Sequence, residues 1–142
     1  MTADETRAFL ADHSDAVNRH DAGALAHNYA EDAVIESPIF GVVEGRDAIE
    51  ASHRAAFEAW PDAIQQNESV LVDGNRACVV STFSGTHVHD LMGLPGTGKP
   101  FKINLVFIYH LRDGLIAREE RLYDFTTTLV QLGVMKVKPA RG

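Results

Sequence analysis

Residues 101–112 read FKINLVFIYHLR, and this stretch decides the fold. The even-numbered positions mix polar side chains with Val106 and Ile108, whereas the odd-numbered positions are apolar throughout: Phe101, Ile103, Leu105, Phe107, Tyr109 and Leu111. A period of two predicts a β-strand with one face on an apolar interior. Because the other face is also partly apolar, we expect a second copy of the chain to pack against it; the alternative is that Val106 and Ile108 are two scattered exposed residues.

The segments around this strand predict more strands joined by tight turns. Residues 68–72 and 76–88 flank the turn sequence Asp73-Gly74-Asn75, and residues 115–123 follow Asp113-Gly114. Such glycine-containing turns are typical of antiparallel hairpins. A strand at 34–40 is interrupted by Pro38, which predicts an edge strand or a bulge because proline cannot donate to a ladder. Residues 41–45 are expected to form a turn.

The first half of the chain is predominantly helical in pattern. Thr2 or Asp4 can cap a first helix that runs to about residue 20. Asp21 can cap a short second helix that reaches Tyr29. A third helix is predicted over 46–60 and ends before Pro61. A short terminal helix follows at 126–132. Helices first and strands after predict an α+β domain, with three N-terminal helices packed on a curved, mainly antiparallel sheet that encloses an internal pocket.

Length and composition restrict the class of protein. The chain has 142 residues, which we interpret as one domain (1–142), and its formal charge is −7 from 13 basic and 20 acidic residues. This acidic balance argues against nucleic-acid and anionic-membrane partners. One cysteine excludes an internal disulfide, and no apolar run approaches the ~20 residues of a membrane span. We therefore expect a cytoplasmic protein.

Five stretches in order along the chain resemble one family: VNRHDAGALAHNYAEDAVIESP, EGRDAIE, GTHVHDLMGLPGTGKPF, YHLRDGLI and DFTTTLVQLG. The sequence is similar to the SnoaL-like polyketide cyclases, of the nuclear-transport-factor-two-like superfamily of cone folds. The resemblance implies a cone-shaped α+β roll and homodimers across the outer face of the sheet. It also implies chemistry without a metal or an organic cofactor.

The family's catalytic residues are not retained at the matching positions. The cyclases close a ring by an intramolecular aldol reaction, and their acid/base aspartate precedes the terminal DF by three positions, where this chain has Arg121. Their glutamine and histidine on the preceding strand correspond here to Leu105 and Phe107. The ketosteroid isomerases, which the chain also resembles, carry an aspartate base where this chain has Ser37. An arginine cannot accept a proton at neutral pH.

Other residues near these positions are candidates for chemistry. If Arg121 faces the cavity, strand parity places Glu119 and Tyr123 beside it. Arg121 then binds an anionic group of a ligand or keeps Glu119 ionised; the alternative is a structural ion pair. His53 shares a helix face with Trp60, and is either a general acid/base or a core histidine bonded to a backbone carbonyl.

Further polar residues have structural alternatives of the same kind. Tyr29 either directs its hydroxyl into the pocket or is a core aromatic whose hydroxyl reaches the surface. Asp124 is expected to cap the terminal helix. The recurrence of His13, His20 and His27 every seven residues is attributed to chance. His87 and His89 lie two apart on a strand, but without a third ligand they predict no metal site.

Two hypotheses of function follow. The first is a cofactor-independent proton-transfer enzyme, a cyclase, isomerase, dehydratase or hydrolase, acting on a hydrophobic, carbonyl-bearing, polyketide-like substrate through Arg121, Glu119 and His53. The second is a non-catalytic cone-fold protein that binds a small apolar ligand. Under both hypotheses the ligand occupies the same predicted pocket, which is lined by Tyr29, Ser37, Trp60, Leu105, Phe107, Tyr109 and Tyr123.

Overall fold

The computed structural model describes residues 1–136. Along the chain, its elements are α1 (Ala3–Asn18), α2 (Ala22–Ala26), β1 (Tyr29–Ser37), β2 (Gly41–Glu44), α3 (Arg46–Ala59), β3 (Ile64–Asp73), β4 (Arg76–Thr86), β5 (Pro100–Arg112), β6 (Leu115–Tyr123) and α4 (Phe125–Gln131). The strands form one sheet in the order β2-β1-β6-β5-β4-β3. Every neighbouring pair is antiparallel except β1 and β6, which are parallel. The predicted α+β class with a mainly antiparallel sheet is confirmed.

Local sequence signals account for the helix boundaries. Thr2 and Glu5 form a reciprocal capping box at the start of α1, which satisfies two backbone amides that otherwise lack partners. Asp124 accepts hydrogen bonds from the amides of Thr126 and Thr127 and caps α4, as predicted. Helix α3 ends at Ala59, just before Pro61. None of the described helices is long and apolar enough to cross a membrane.

The alternating pattern of β5 is confirmed by burial. Phe101, Leu105, Phe107, Tyr109 and Leu111 are buried, Ile103 is half-buried, and the even-numbered residues of the strand are half-buried or exposed. The buried row packs on apolar side chains from the helices and the other strands: Leu10, Ile35, Ile49, Val79 and Ile116. Burial of this row against the helices holds the sheet in position.

The predicted boundaries of β1 are wrong at both ends. Tyr29 does not end the second helix but begins the strand, where its backbone carbonyl accepts two hydrogen bonds from the Arg46 guanidinium at 2.9 and 2.7 Å. The strand is also not at the edge of the sheet, since it lies between β2 and β6. Pro38 is tolerated because it follows the last strand residue and occupies a turn that needs no amide donor there.

The predicted turn at 41–45 is instead a strand. β2 pairs antiparallel with β1, with Ser37 opposite Gly41 and Val34 opposite Glu44. The β-branched Val42 and Val43 favour this extended backbone. Gly45, with a φ of 90°, then ends the hairpin in a conformation that favours glycine. β3 likewise begins at Ile64 rather than at residue 68.

The pairing of β5 with β6 positions the candidate site. Three cross-strand pairs follow one another on the inner face of the sheet: Tyr109 opposite Glu119, Phe107 opposite Arg121, and Leu105 opposite Tyr123. Side chains paired in this way are close neighbours. The predicted parity of β6 therefore places these three β6 side chains on the buried face of β5.

Candidate functional site

A buried carboxylate lies at the centre of the candidate site. Glu119 is 1 % exposed, and each of its carboxylate oxygens accepts one hydrogen bond. The Tyr29 hydroxyl donates to Oε1 at 2.6 Å, and Nε of Arg121 donates to Oε2 at 2.6 Å. Both are short, charge-assisted hydrogen bonds. Tyr29 is fully buried, so its hydroxyl does not reach the surface but is bonded to Glu119 inside the protein.

Arg121 links this carboxylate to the outside of the site. Its side chain is 24 % exposed, compared with 1 % for Glu119. Its guanidinium lies 5.9 Å from the centroid of the Phe107 ring, which supplies an aromatic surface for the cation. Nε donates to Glu119 and one Nη2 hydrogen is directed to His53, so Nη1 and the second Nη2 hydrogen remain to bind another group.

His53 lies against this guanidinium from α3. Its ring is 9 % exposed, and Nδ1 is 2.9 Å from the backbone carbonyl of Ile49. A carbonyl only accepts, so Nδ1 carries the proton of the neutral ring and Nε2 holds a lone pair. Nη2 of Arg121 donates a hydrogen bond to that Nε2 at 3.4 Å. The structure thus shows the carbonyl-bonded core histidine, whereas a role of His53 as a general acid/base stays a prediction.

His13 is a member of the site that the sequence analysis missed. Its ring is 3 % exposed, Nδ1 lies 2.9 Å from the side-chain amide nitrogen of Asn28, and Nε2 lies 3.5 Å from the Tyr29 hydroxyl. The available signal was its position three residues after Leu10 on the buried face of α1, rather than the seven-residue recurrence.

The hydrogen bonds through the site have a fixed direction. The Asn28 amide donates to His13, which leaves the His13 proton on Nε2 facing the Tyr29 oxygen. The Tyr29 hydroxyl in turn donates to Glu119. Glu119 is therefore approached by donors from both sides, from Tyr29 and from Arg121, and neither of its oxygens is left free.

Burial and charge shift the ionisation of both histidines in the same direction. Burial, followed by the nearby Arg121 charge, lowers the pKa of His53 to about 4, although Glu119 opposes both effects. Burial also lowers the pKa of His13 to about 4, although Glu119 opposes this effect. Both rings are neutral at pH 7, which agrees with the tautomers required by their hydrogen bonds.

The carboxylate and the phenols keep their ordinary charge states. Burial raises the pKa of Glu119, but Arg121 and the other neighbours outweigh burial and the pKa is lowered. Burial, followed by the Glu119 charge, raises the pKa of both Tyr29 and Tyr109 well above the usual value. At neutral pH, Glu119 is an anion and both hydroxyls are protonated donors.

The remaining predicted pocket residues lie in three places. Leu105, Phe107 and Tyr109 form the buried row beside Arg121 and Glu119. Ser37 and Tyr123, both half-buried, share a hydrogen bond of 2.6 Å where β1 and β6 end. Trp60 packs against Phe101, with ring centroids 4.7 Å apart, and does not join the hydrogen-bond network. The structure therefore brings Arg121, Glu119, His53 and Tyr29 together but not Trp60.

Two clefts open at the surface of the described chain. One of about 640 Å³ lies between Arg19, His20, Arg54 and Phe57, and another of about 570 Å³ lies beside Asp62, Thr86 and Phe101. The residues that line them include none of Arg121, Glu119 and His53. The internal pocket beneath β5 stays a prediction. Within residues 1–136, no three His, Cys, Asp or Glu residues are arranged to hold a metal ion.

Comparisons with known proteins show which family the chain belongs to. A family model described as the SnoaL-like domain matches residues 10–119. The chain belongs to the SnoaL-like family. No curated protein matches it.

Solved structures with the same fold cover nearly the whole of this SnoaL-like protein. TsrD from Streptomyces laurentii is 24 % identical with a TM-score of 0.84, over 95 % of this chain and 99 % of that one. IdmH from Streptomyces antibioticus, described as a candidate polyketide cyclase, is 26 % identical with a TM-score of 0.76, over 90 % and 98 %. SalBIII, an epoxide hydrolase/cyclase-like enzyme in pyran ring formation, is 23 % identical with a TM-score of 0.75, over 89 % and 97 %.

The stability of this SnoaL-like protein should depend on the two neutral histidines. Each has a pKa of about 4 in the fold, compared with 6.5 for the unperturbed group, so the unfolded chain binds more protons between these values. Stability is then fully present above about pH 6.5 and is lost as the pH falls towards 4. We expect the free energy of unfolding, measured with urea at a series of pH values, to fall with decreasing pH with a slope that approaches the uptake of two protons per molecule.

A pair of variants distinguishes the contribution of the buried histidines from that of the exposed ones. His13→Phe should reduce the slope by about one proton, whereas His89→Gln, at an exposed position, should leave it unchanged. A free energy of unfolding that stays constant between pH 7 and pH 5 would contradict the assignment of neutral, buried rings.

Proposed function

We propose that this SnoaL-like protein is a cofactor-independent enzyme that moves a proton on a hydrophobic, carbonyl-bearing, polyketide-like substrate. The proposal rests on one observation: His53 Nε2, whose lone pair faces the Arg121 guanidinium, accepts a long hydrogen bond of 3.4 Å from Nη2, which a substrate would displace before the proton moves. A proton acceptor and a donor to a developing oxyanion are thus side by side. A substrate carbonyl bonded to Arg121 would place its adjacent carbon within reach of His53.

His53 is a better candidate than Glu119 for taking the proton. Both oxygens of Glu119 are occupied, by Tyr29 and by Arg121, and the side chain is 1 % exposed. Protonating Glu119 would break one of these bonds and would leave Arg121 without its counter-charge. Glu119 is therefore a positioning residue that fixes the guanidinium through Nε.

The charge of Arg121 links proton transfer to oxyanion formation. In the unliganded site this cation helps to hold the His53 pKa near 4, which makes His53 a weak base. As negative charge develops on a substrate oxygen beside the guanidinium, the net positive field at His53 decreases and its basicity rises. The site therefore favours the state in which the proton has moved, which is how a catalytic site differs from one that only binds substrate.

The structural relatives support the substrate class. IdmH is described as a candidate polyketide cyclase, and SalBIII acts in pyran ring formation in the polyether salinomycin. Ring closure of this kind requires transfer of a proton to or from oxygen or carbon. The buried row of Leu105, Phe107 and Tyr109 beside Arg121 suits an apolar ligand with one polar group.

A ligand-binding protein without catalysis is the second candidate. The observation that favours it is the complete internal pairing of the network, in which Tyr29, Glu119 and the Nδ1 atom of His53 all have protein partners. In that case Arg121 binds an acceptor group, and no proton leaves the ligand.

Hydrogen–deuterium exchange of a simple ketone distinguishes the two candidates. We expect wild-type protein to accelerate the loss of the α-proton NMR signal of 1-tetralone in D₂O by about 100-fold or more over buffer, the usual contribution of general acid–base catalysis. His53→Gln should remove nearly all of this acceleration, because glutamine cannot take up the proton.

The matched control is His27→Gln, at an exposed ring outside the network, and it should retain the full rate. A rise in Tm with 1-tetralone but no exchange above buffer would favour the binding protein. Full exchange by His53→Gln would contradict the assigned base.

We also propose that the outer face of the sheet forms a homodimer. Val80, Val106 and Leu122 are cross-strand neighbours on that face, and Leu122 is 53 % exposed. The neighbouring row adds Ile108 and Leu71, which is 61 % exposed. An apolar band of this kind across three or four strands is typical of an interface between copies of a chain.

Sedimentation velocity tests the dimer. We expect the wild type to sediment as a dimer and Leu122→Lys as a monomer, because the two-fold axis would bring two buried charges into the apolar band. Val130→Lys, at a 38 % exposed position on α4, is the control and should remain dimeric. A wild-type monomer at micromolar concentration would refute this proposal.

A further inference from the structure

His87 is a buried histidine that the proposed chemistry does not use. It follows the last residue of β4 and is 0 % exposed. The backbone amide of Thr97 donates to its Nδ1 at 3.2 Å, and the Thr97 hydroxyl lies 3.0 Å from the same atom. An amide can only donate, so Nδ1 is an acceptor and the ring proton lies on Nε2.

The Nε2 proton has no acceptor among residues 1–136. Most buried polar groups are hydrogen-bonded, and an unpaired donor in an apolar environment is unfavourable. The backbone of His87 is fully engaged, since its amide donates to the Lys99 carbonyl at 2.9 Å and its carbonyl accepts from Gly98 at 2.8 Å. The chain therefore holds this imidazole firmly in place while leaving one donor unused.

The surroundings of the unused donor are aromatic. The Trp60 ring centroid is 6.1 Å from that of His87, and Phe101 packs edge-on against Trp60 at 4.7 Å. The cleft of about 570 Å³ borders this cluster at Phe101 and at Thr86, the residue before His87, but Trp60 and the His87 ring do not line it. Trp60 itself is half-buried.

This cluster is distinct from the site around Arg121. Phe101 and Phe107 lie on the same face of β5 but six residues apart, which is about 20 Å along a strand. Trp60 and His87 have no hydrogen bond to the network of Glu119. A ligand bound here would not depend on the proposed proton transfer.

From this geometry we propose a second small-molecule site, in which His87 Nε2 donates a hydrogen bond to a carbonyl or ether oxygen of a planar aromatic ligand held by Trp60 and Phe101. Binding requires the Phe101 or Trp60 ring to move, because His87 is 0 % exposed and does not line the cleft. The ligand then satisfies the unused donor, while the stacked rings supply the apolar contact.

A matched pair of ligands tests the hydrogen bond. 9-Fluorenone and fluorene share one three-ring body, but only fluorenone carries an acceptor oxygen. Trp60 is the one tryptophan of the chain, so its fluorescence reports occupancy of this site directly. We expect saturable quenching by both compounds, corrected with free tryptophan, and binding of fluorenone at least about tenfold tighter than fluorene.

Three variants assign the preference to His87. His87→Phe should bind the two compounds equally, His87→Gln should restore part of the preference because its amide donates, and the exposed control His89→Phe should match the wild type. If His87→Phe fails to fold, His87→Gln against wild type gives the comparison. Equal affinities in the wild type, an unchanged preference in His87→Phe or no saturable quenching by fluorenone would each overturn the proposal.

Arg121→Leu separates this site from the proposed function. If the preference for fluorenone is lost in Arg121→Leu and kept in His87→Phe, the acceptor binds at Arg121 and the second site is refuted, while the proposed function is unaffected. If the preference is lost only in His87→Phe, the second site stands whatever the outcome of the tetralone experiment.

Discussion

The buried ion pair between Glu119 and Arg121 is the interaction on which the candidate site depends. Placing a carboxylate at 1 % exposure is unfavourable unless charge and hydrogen bonds compensate for lost hydration. Arg121 provides the counter-charge and Tyr29 provides a second donor, each at 2.6 Å. The same pair fixes one edge of the guanidinium, so that its terminal nitrogens have a defined direction towards His53 and the solvent.

This arrangement explains how the site can lack the family's acid/base aspartate without being chemically inert. At the corresponding position Arg121 cannot exchange a proton, but it can stabilise negative charge on a ligand oxygen. In the proposed function the proton acceptor comes from another element, His53 on α3, whose Nε2 atom faces the guanidinium. The proposal therefore divides the roles of acceptor and charge stabiliser between a helix and a strand.

The sequence was sufficient to predict β5, β6 and the sharing of one face by Glu119, Arg121 and Tyr123, because strand periodicity determines them, but it did not predict β2. It also predicted that His53 shares a helix face with Trp60 and offered a carbonyl-bonded core histidine as one of two alternatives. The contribution of Tyr29 as a donor to Glu119 was not predictable, because it needs contact between residues 90 positions apart. His13 was missed because a helical position alone does not show what lies opposite it.

The errors in the fold have a similar physical origin. Pro38 was correctly recognised as unable to donate to a ladder, but the sequence does not show whether it lies inside a strand or just beyond its end. Tyr29 was assigned to a helix because nothing local ends α2 strongly, whereas the Tyr29 carbonyl in the structure is bonded to Arg46, 17 residues later. Neither boundary is marked by a strong local signal.

A double-mutant cycle on Glu119 and Arg121 tests the central claim most directly. The free energy of unfolding would be measured for wild type, Glu119→Gln, Arg121→Leu and the double variant, with the exposed Asp32–Arg112 pair as the reference cycle. We predict a coupling of about 3 kcal/mol or more for the buried pair, compared with about 0.5 kcal/mol for the exposed pair. Equal coupling energies in the two cycles would contradict the account.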